Sequence, residues 1–304
     1  MRIFVTGATG AVGRYAVPAL LEAGHEVTAL ARTPDKAAGL TARGATAVTV
    51  SLFDRAALAA AFDGHDAVAN LASAIPPMTR FLSNRAWADC AKVRTEGSAA
   101  VAGAALDAGV GHLVQESVSM LYRDHGTRWI SEDHPVDRYP IARTNLAAEA
   151  SAHGFTESGG TGVVLRFGWF YGPGAAHAEQ LFAQARHHIA AQLGPSGGYV
   201  SSIHVADAGR AVAAALHAPA GTYNVVDDEP LTKREYADAL AEAAGARAWF
   251  RGPGRAALLL GDRLTSLTRS LRVANTKFRE ATGWAPEFPS AREGWRATAA
   301  ALSR

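Results

Sequence analysis

The sequence predicts an α/β fold, a doubly wound parallel sheet carrying a smaller C-terminal layer, and three observations carry that prediction. Short apolar runs alternate with helical stretches, a glycine loop closes the first run, and the regularity changes past Arg166. The runs are Ile3 to Thr6, Val27 to Ala31, Ala47 to Val50, Ala67 to Leu71, Leu113 to Gln115 and Val163 to Phe167. Strands separated by helices return in the same direction and pair in parallel. Their apolar residues are consecutive instead of alternating with polar ones, as strands covered by helices on both faces require. Beyond Arg166 follow a loop with Gly172, Pro173 and Gly174, a helix expected around Ala178 to Gln192, a second Gly/Pro loop and a helix-rich tail. The expected division is a sheet domain over 1–168 and a smaller region over 169–304, interleaved with the sheet around 199–226.

Composition narrows the partners. With 304 residues, 48% hydrophobic and 19% charged, the chain can bury one large core or two adjoining ones, which excludes disorder. The 30 basic residues face 28 acidic ones without a Lys/Arg block, so no nucleic-acid partner is expected. A single cysteine, Cys90, excludes an internal disulfide and fits a reducing compartment, so the expected location is cytoplasmic. The first strand runs at once into the glycine loop, leaving no room for a leader's apolar core, and no later run is long enough to span a bilayer. No membrane partner is expected. His177, His187, His188 and His204 suggest no metal site, because the adjacent pair point to different helix faces and no carboxylate stands four residues from a facing histidine.

Thr6-Gly7-Ala8-Thr9-Gly10-Ala11-Val12-Gly13 follows the first strand and opens a helix whose Val12, Ala16 and Leu20 share one face. In that setting a first glycine turns the chain, a second lets the backbone approach a pyrophosphate, and a third lets helix and strand pack closely. The helix N-terminus draws the negative charge. Thr6, Gly7, Thr9, Gly10, Ala11, Val12 and Gly13 are therefore expected to hold a dinucleotide. NAD-selective sites place an acidic residue about twenty positions past the glycines, on the ribose hydroxyls. Here the second strand ends Ala29-Leu30-Ala31-Arg32 with no carboxylate, and a guanidinium can fork onto a 2′-phosphate. The expected cofactor is NADP(H) in preference to NAD(H). Asp54, after Leu52-Phe53, is expected to cap the next helix.

The spacing TGxxGxxG resembles that of the extended short-chain dehydrogenase/reductase family, which includes nucleotide-sugar epimerases and dehydratases. Further segments match it in order: Asp66 to Ala72, Leu165 to Gly174, Ile203 to Asp207 and Tyr223 to Val226, so the resemblance covers nearly the whole chain. It implies a Rossmann sheet binding NAD(P), a small organic substrate held by the C-terminal layer, and nucleotide contacts at Leu52, Leu71, Ala72, Ser117 and Asn145. It also implies a Tyr and a Lys four apart on one helix, with a Ser or Thr at the end of the fifth strand. Residues i and i+4 share a helix face, so the ammonium can lower the phenol's pKa and hold the nicotinamide ribose.

No Tyr-x-x-x-Lys exists in this sequence. Four residues after Tyr15, Tyr122, Tyr139, Tyr171, Tyr199, Tyr223 and Tyr236 stand Ala19, Gly126, Arg143, Ala175, Ile203, Asp227 and Leu240. Two registers remain. One pairs Tyr139 with Arg143; the other aligns Pro140 to Glu149 with the family's Pro-Tyr-x-x-Ser-Lys-x-x-x-Glu and puts Ile141 and Asn145 in place of Tyr and Lys. Pro140 favours the second, because proline prefers the first helical turn and leaves Tyr139 outside it. Leu113 to Tyr122 resembles the family's strand ending Ser-Ser-x-x-Val-Tyr, and the position of the catalytic hydroxyl falls on Val118, between Ser117 and Ser119. Proton transfer would then come from the substrate, water or a relocated Tyr139, Ser119 or Tyr122. Val118, Ile141, Arg166, Trp169, Tyr171 and His204 are expected to wall the substrate pocket. The expected function is an atypical NADP(H)-dependent oxidoreductase; the alternatives are an NADP-binding sensor or scaffold without catalysis, and non-redox lyase or isomerase chemistry.

Overall fold

The computed structural model describes residues 1–303, apart from the side chains of residues 78, 84, 260, 262 and 263. In chain order the strands used below are β1 (Arg2–Thr6), β2 (Glu26–Leu30), β3 (Thr46–Val48), β4 (Ala67–Asn70), β5 (His112–Val118), β6 (Trp129–Ile130), β7 (Thr161–Phe167), β8 (Trp169–Tyr171), β9 (Gln192–Leu193), β10 (Tyr199–Val200), β11 (Ser202–His204) and β12 (Gly221–Val225). The helices used below are α1 (Gly13–Glu22), α2 (Pro34–Thr41), α3 (Arg55–Phe62), α4 (Ala88–Lys92), α5 (Ser98–Asp107), α6 (Pro140–Glu157), α7 (Ala176–Arg186), α8 (Val205–Ala215), α9 (Lys233–Ala243), α10 (Thr265–Thr268), α11 (Thr276–Thr282) and α12 (Ala291–Leu302).

Seven strands form one parallel sheet in the order β12-β7-β5-β4-β1-β2-β3. The strand order reverses at β1, so the crevice in which such sheets hold ligands opens beyond the carboxyl ends of β1 and β4. Ile3 and Val5 of β1 pack with Ala16, Val17 and Leu20 of α1 and Ala208 and Val212 of α8. Phe4, between them, packs with Leu58 and Phe62 of α3 and Val101 and Ala105 of α5. Successive residues thus fill opposite cores, which is why the run shows no polar alternation. Asp54 caps α3 by accepting the Ala57 amide at 3.0 Å.

The C-terminal layer is built from α7, α9 and α12 around the fully buried Trp295, which packs on Tyr171, Phe182 and Tyr236. The helix expected over Ala178 to Gln192 ends instead at Arg186. His188 takes a φ of 63° and its ring stacks on Trp249 at 3.8 Å, after which Ile189 bridges Phe250 and β9 runs parallel to Pro253–Gly254. Pairing with a distant segment overrides the local helical pattern there. No helix among the described residues is long and apolar enough to cross a membrane.

α1 and α8 approach closely at Gly209, where a Cβ would lie 2.6 Å from the Tyr15 carbonyl carbon. Replacing Gly209 by valine should therefore force the two helices apart. Overpacking of this kind costs about 1–3 kcal/mol, and urea unfolding should show the midpoint falling accordingly; a midpoint equal to the parent's would contradict this packing.

Candidate active site

The glycine loop sits directly on the end of β4. Gly7 has a φ of 67°, and a Cβ there would lie 2.3 Å from the Leu71 carbonyl oxygen and 2.7 Å from the Ala72 nitrogen. A Cβ on Gly13 would lie 2.2 Å from the Gly7 oxygen, so both positions require glycine. Val12 precedes α1 and provides no side-chain cap; the Arg14 and Tyr15 amides donate to the Gly10 and Val12 carbonyls, while the Ala11, Val12 and Gly13 amides have no backbone acceptor among the described residues and are available to an anion. The cradle fits a dinucleotide pyrophosphate on these two grounds. Thr9 and Ala11 are half-buried in the loop and Gly10 is exposed. Beside it, the Thr6 hydroxyl donates to Asn70 Oδ1 at 2.6 Å, and Asn70 Nδ2 donates to Gln115 Oε1 at 2.8 Å, tying the ends of β1 and β4 to the middle of β5. Leu52 is half-buried against Gly97, and Arg32 is exposed just past β2.

α6 begins at Pro140, with Tyr139 as its extended N-cap. The Tyr139 hydroxyl donates to the Met120 carbonyl at 2.8 Å, and burial holds its phenol far above the usual value. Arg143 donates from Nε to the Arg138 carbonyl at 2.6 Å. Tyr122 is fully buried; it donates to Asn224 Oδ1 at 2.7 Å and accepts from Arg166 Nη1 at 2.9 Å, and burial pushes it up to about 12. Arg166 in turn forks onto Glu149 at 2.8 and 2.7 Å, and the Ser117 hydroxyl donates to the same carboxylate at 2.6 Å. Val118 is buried among Leu121, Tyr139 and Ala142, with Ile141 half-buried beside them. Asn145 is buried; its Nδ2 donates to the Ile141 carbonyl at 2.9 Å, while its Oδ1 has no partner among the described residues.

A cavity of about 280 Å³ opens past the carboxyl ends of β5 and β7, between the sheet and the C-terminal layer. Its walls are chiefly apolar and aromatic, with Met120, Trp169, Leu181, Tyr199 and Leu271 prominent. Ser119 lies on it with an unpartnered hydroxyl, and Lys233 and Arg269 bring cations to it. Of the six residues expected to wall the substrate pocket, this cavity takes only Trp169. Tyr171 is buried with its hydroxyl directed to the Ser290 carbonyl at 3.3 Å, and His204 accepts the Ala206 amide at 3.3 Å to cap α8, its pKa lowered to about 4 by burial and by Arg210. Glu149, Lys233 and Arg269 were not singled out from the sequence. Glu149 closes the family's Pro-to-Glu pattern and was recognisable there; nothing local marks the two cations.

The family model for the NAD dependent epimerase/dehydratase family matches residues 3–226. A 3-diazoavenalumate denitrifying reductase from a Streptomyces species is 34% identical over 97% of this chain and 99% of its own. A 4-hydroxy-2-methyl-3-oxo-4-farnesyl-3,4-dihydroquinoline-1-oxide ketoreductase from Stigmatella aurantiaca is 29% identical over 87% of this chain and 80% of its own. A UDP-glucose 4-epimerase from Thermus thermophilus, in complex with NAD, superposes with a TM-score of 0.80 at 25% identity, covering 100% of this chain and 99% of its own. NAD is the nucleotide named in most of the similar solved structures, with NADPH in a human epimerase family protein. The expected preference for NADP(H) is thereby corrected in favour of NAD(H). Arg32 explains the error: exposed beyond the strand end, it is not held ready as a phosphate fork, and a missing carboxylate alone does not select the phosphate.

One strand position before Ser117, Glu116 is buried with Arg94 at 3.9 Å, and desolvation pushes its carboxyl up to about 7 against the opposing pull of that guanidinium. The folded state therefore holds the proton where the unfolded chain, titrating near 4.5, has released it. The contribution of Glu116 to stability should be fully present below about pH 4.5, decline as pH rises to about 7, and level off above. Chemical denaturation across pH 4 to 9 should show the stability of the parent relative to Glu116→Gln declining from about pH 4.5 to about 7, in a range where the buried His204 pulls both proteins the opposite way; parallel pH dependence in the two proteins would contradict it.

Proposed function

This chain belongs to the NAD-dependent epimerase/dehydratase family, as an NAD(P)-dependent oxidoreductase acting on a small organic molecule, and we propose that it reduces a planar aromatic substrate with NAD(H) without a tyrosine proton donor. The observation that carries this reading is the state of the two phenols near the end of β5. Tyr139 and Tyr122 both donate to internal acceptors and both have raised pKa values. Ile141, Asn145 and Val118 stand where, in the favoured register, other members carry Tyr, Lys and Ser. A ketone leaves an alkoxide that needs a proton, and a general acid there contributes about 10²- to 10⁴-fold. An acceptor that needs no proton fits this site better.

A carbon bearing a diazonium group is such an acceptor, and the 34% identical reductase is named for denitrifying a diazo compound. The balance is R–N₂⁺ + NADH → R–H + N₂ + NAD⁺: a C–H bond forms, the C–N bond breaks with its electron pair leaving on dinitrogen, and no proton is taken up. The nicotinamide, when bound, supplies the hydride. Residues 1–168 hold the nucleotide, through the Thr6 to Gly13 loop, Leu71 and Ala72, and Asn145 Oδ1 accepts a ribose hydroxyl. Residues 169–304 supply most of the cavity. Val118 and Ile141 put apolar side chains at the place where other members carry hydroxyls, so an electrophile meets no oxygen nucleophile at those two positions. Aromatic walls at Trp169 and Tyr199 suit a flat ring, and an arenediazonium is the substrate class we assign.

The test is a substrate panel with NADH, scored for dinitrogen, reduced product and NADH consumed, with a nucleotide-binding-deficient Gly13→Val variant as the chemical background. Turnover of an arenediazonium above that background with one dinitrogen per NADH, and with Tyr139→Phe within about 3-fold of the parent, is expected, since a lost general acid costs far more. Preferential reduction of aryl ketones, abolished in Tyr139→Phe, would overturn the reading and establish Tyr139 as a relocated donor.

A further inference from the structure

Lys233 opens α9, where the capping box of Thr232 and Glu235 fixes the helix start. Its side chain is 4% exposed and lines the cavity. The ammonium donates to the carbonyls of Leu193 and, at 2.7 Å, Leu267. Gly194 makes room for it: a Cβ there would lie 2.8 Å from Lys233 Nζ. An ammonium carries three donors, so one is left over, and among the described residues no carboxylate lies within ion-pair distance of it.

The neighbouring acids are engaged elsewhere. Asp124, which pulls the ammonium's pKa upward from a distance, accepts the amides of Gly126 and Ser270 at 2.9 and 2.7 Å. Glu235 is occupied by Thr232 and by Arg292 at 3.0 Å. Arg269, the other cation on the cavity, is bound to Asp137 and to the Tyr122 carbonyl. Burial lowers Lys233 to about 8, which leaves it mostly charged at neutral pH.

A second observation points the same way. Gln192 Nε2, Ser266 Oγ and the Tyr236 hydroxyl are buried, line the same cavity, and have no hydrogen-bond partner among the described residues. Gln192 and Ser266 immediately precede Leu193 and Leu267, the two residues whose carbonyls hold the ammonium, and Tyr236 lies one turn further along α9 from Lys233. Three polar groups able to donate, none with a hydrogen-bond partner among the described residues, therefore gather with one spare ammonium donor in an apolar cavity. Buried donors left unpaired are costly and rare, and their clustering marks the place of an absent acceptor. A carboxylate, with two oxygens and about four lone-pair sites, matches that set.

We propose that Lys233, with Gln192, Ser266 and Tyr236, is an anchor for a carboxylate on the substrate, so that this cavity selects aryl acids over neutral aryl compounds. The inference rests on the proposed function only in taking this cavity as the substrate's place; the anchor is tested by binding, without turnover.

Tryptophan fluorescence or calorimetry should compare an arylalkenoic acid, cinnamate, with cinnamamide of the same shape. Cinnamate is expected to bind the parent at least about tenfold more tightly than the amide, because charge-assisted hydrogen bonds are roughly twice as strong as neutral ones. Lys233→Met should erase that difference while retaining the amide, and Ser266→Ala should weaken the acid about 3- to 10-fold, as loss of one hydrogen bond does. Equal binding of acid and amide by the parent, binding of neither, or a preference unchanged in Lys233→Met would overturn the anchor. If Lys233→Met does not fold, the comparison within the parent and Ser266→Ala decides. Acid selectivity without diazonium turnover would leave the anchor standing and remove the proposed reaction.

Discussion

The Arg166 guanidinium, near the end of β7, forks onto the α6 carboxylate of Glu149 with both groups out of solvent. Such a pair is tolerated in a core only when the remaining donors and lone pairs are also satisfied. Here Ser117 of β5 donates to the carboxylate, Tyr122 accepts from the guanidinium, and Asn224 of β12 accepts from Tyr122. The network ties β5, β7, β12 and α6 together, and so sets where Tyr139, Ile141 and Asn145 stand relative to the end of β5. It also commits Tyr122, whose phenol cannot leave Arg166 and Asn224 to carry protons without unpairing buried groups.

The nucleotide cradle and the substrate cavity depend on that edge in different ways. The cradle is a backbone construction: Gly7 and Gly13 let the loop touch β4 and itself, and the free amides leading into α1 are the groups we assign to the pyrophosphate. The cavity depends on side chains, with apolar walls toward the sheet and a cluster of unpaired donors around Lys233 at the C-terminal layer. A substrate held by a charged end is positioned without help from a catalytic hydroxyl, which suits hydride acceptance that is completed by departure of dinitrogen.

What could be read from the sequence was whatever a short stretch decides by itself. The glycine loop, the fully apolar strands, the Asp54 cap and the helix start at Pro140 each follow from a few adjacent residues. The length of α7 was misjudged because Ile189 and β9 pair with a segment some sixty residues on. Lys233 escaped notice for the same reason: its significance lies in Gln192 and Ser266, which come from other parts of the chain. The NADP(H) expectation failed because an absent acid was taken as a positive signal, whereas Arg32 is a solvent-exposed side chain.

The central claim is that the reduced carbon receives its new hydrogen from the nucleotide and that no proton enters. Isotope tracing tests this directly: the enzyme is run on an arenediazonium with NADH deuterated at C4 in ordinary water, and with ordinary NADH in D₂O. The account predicts one deuterium in the arene from the first reaction and none from the second. Solvent deuterium at the reduced carbon would contradict it.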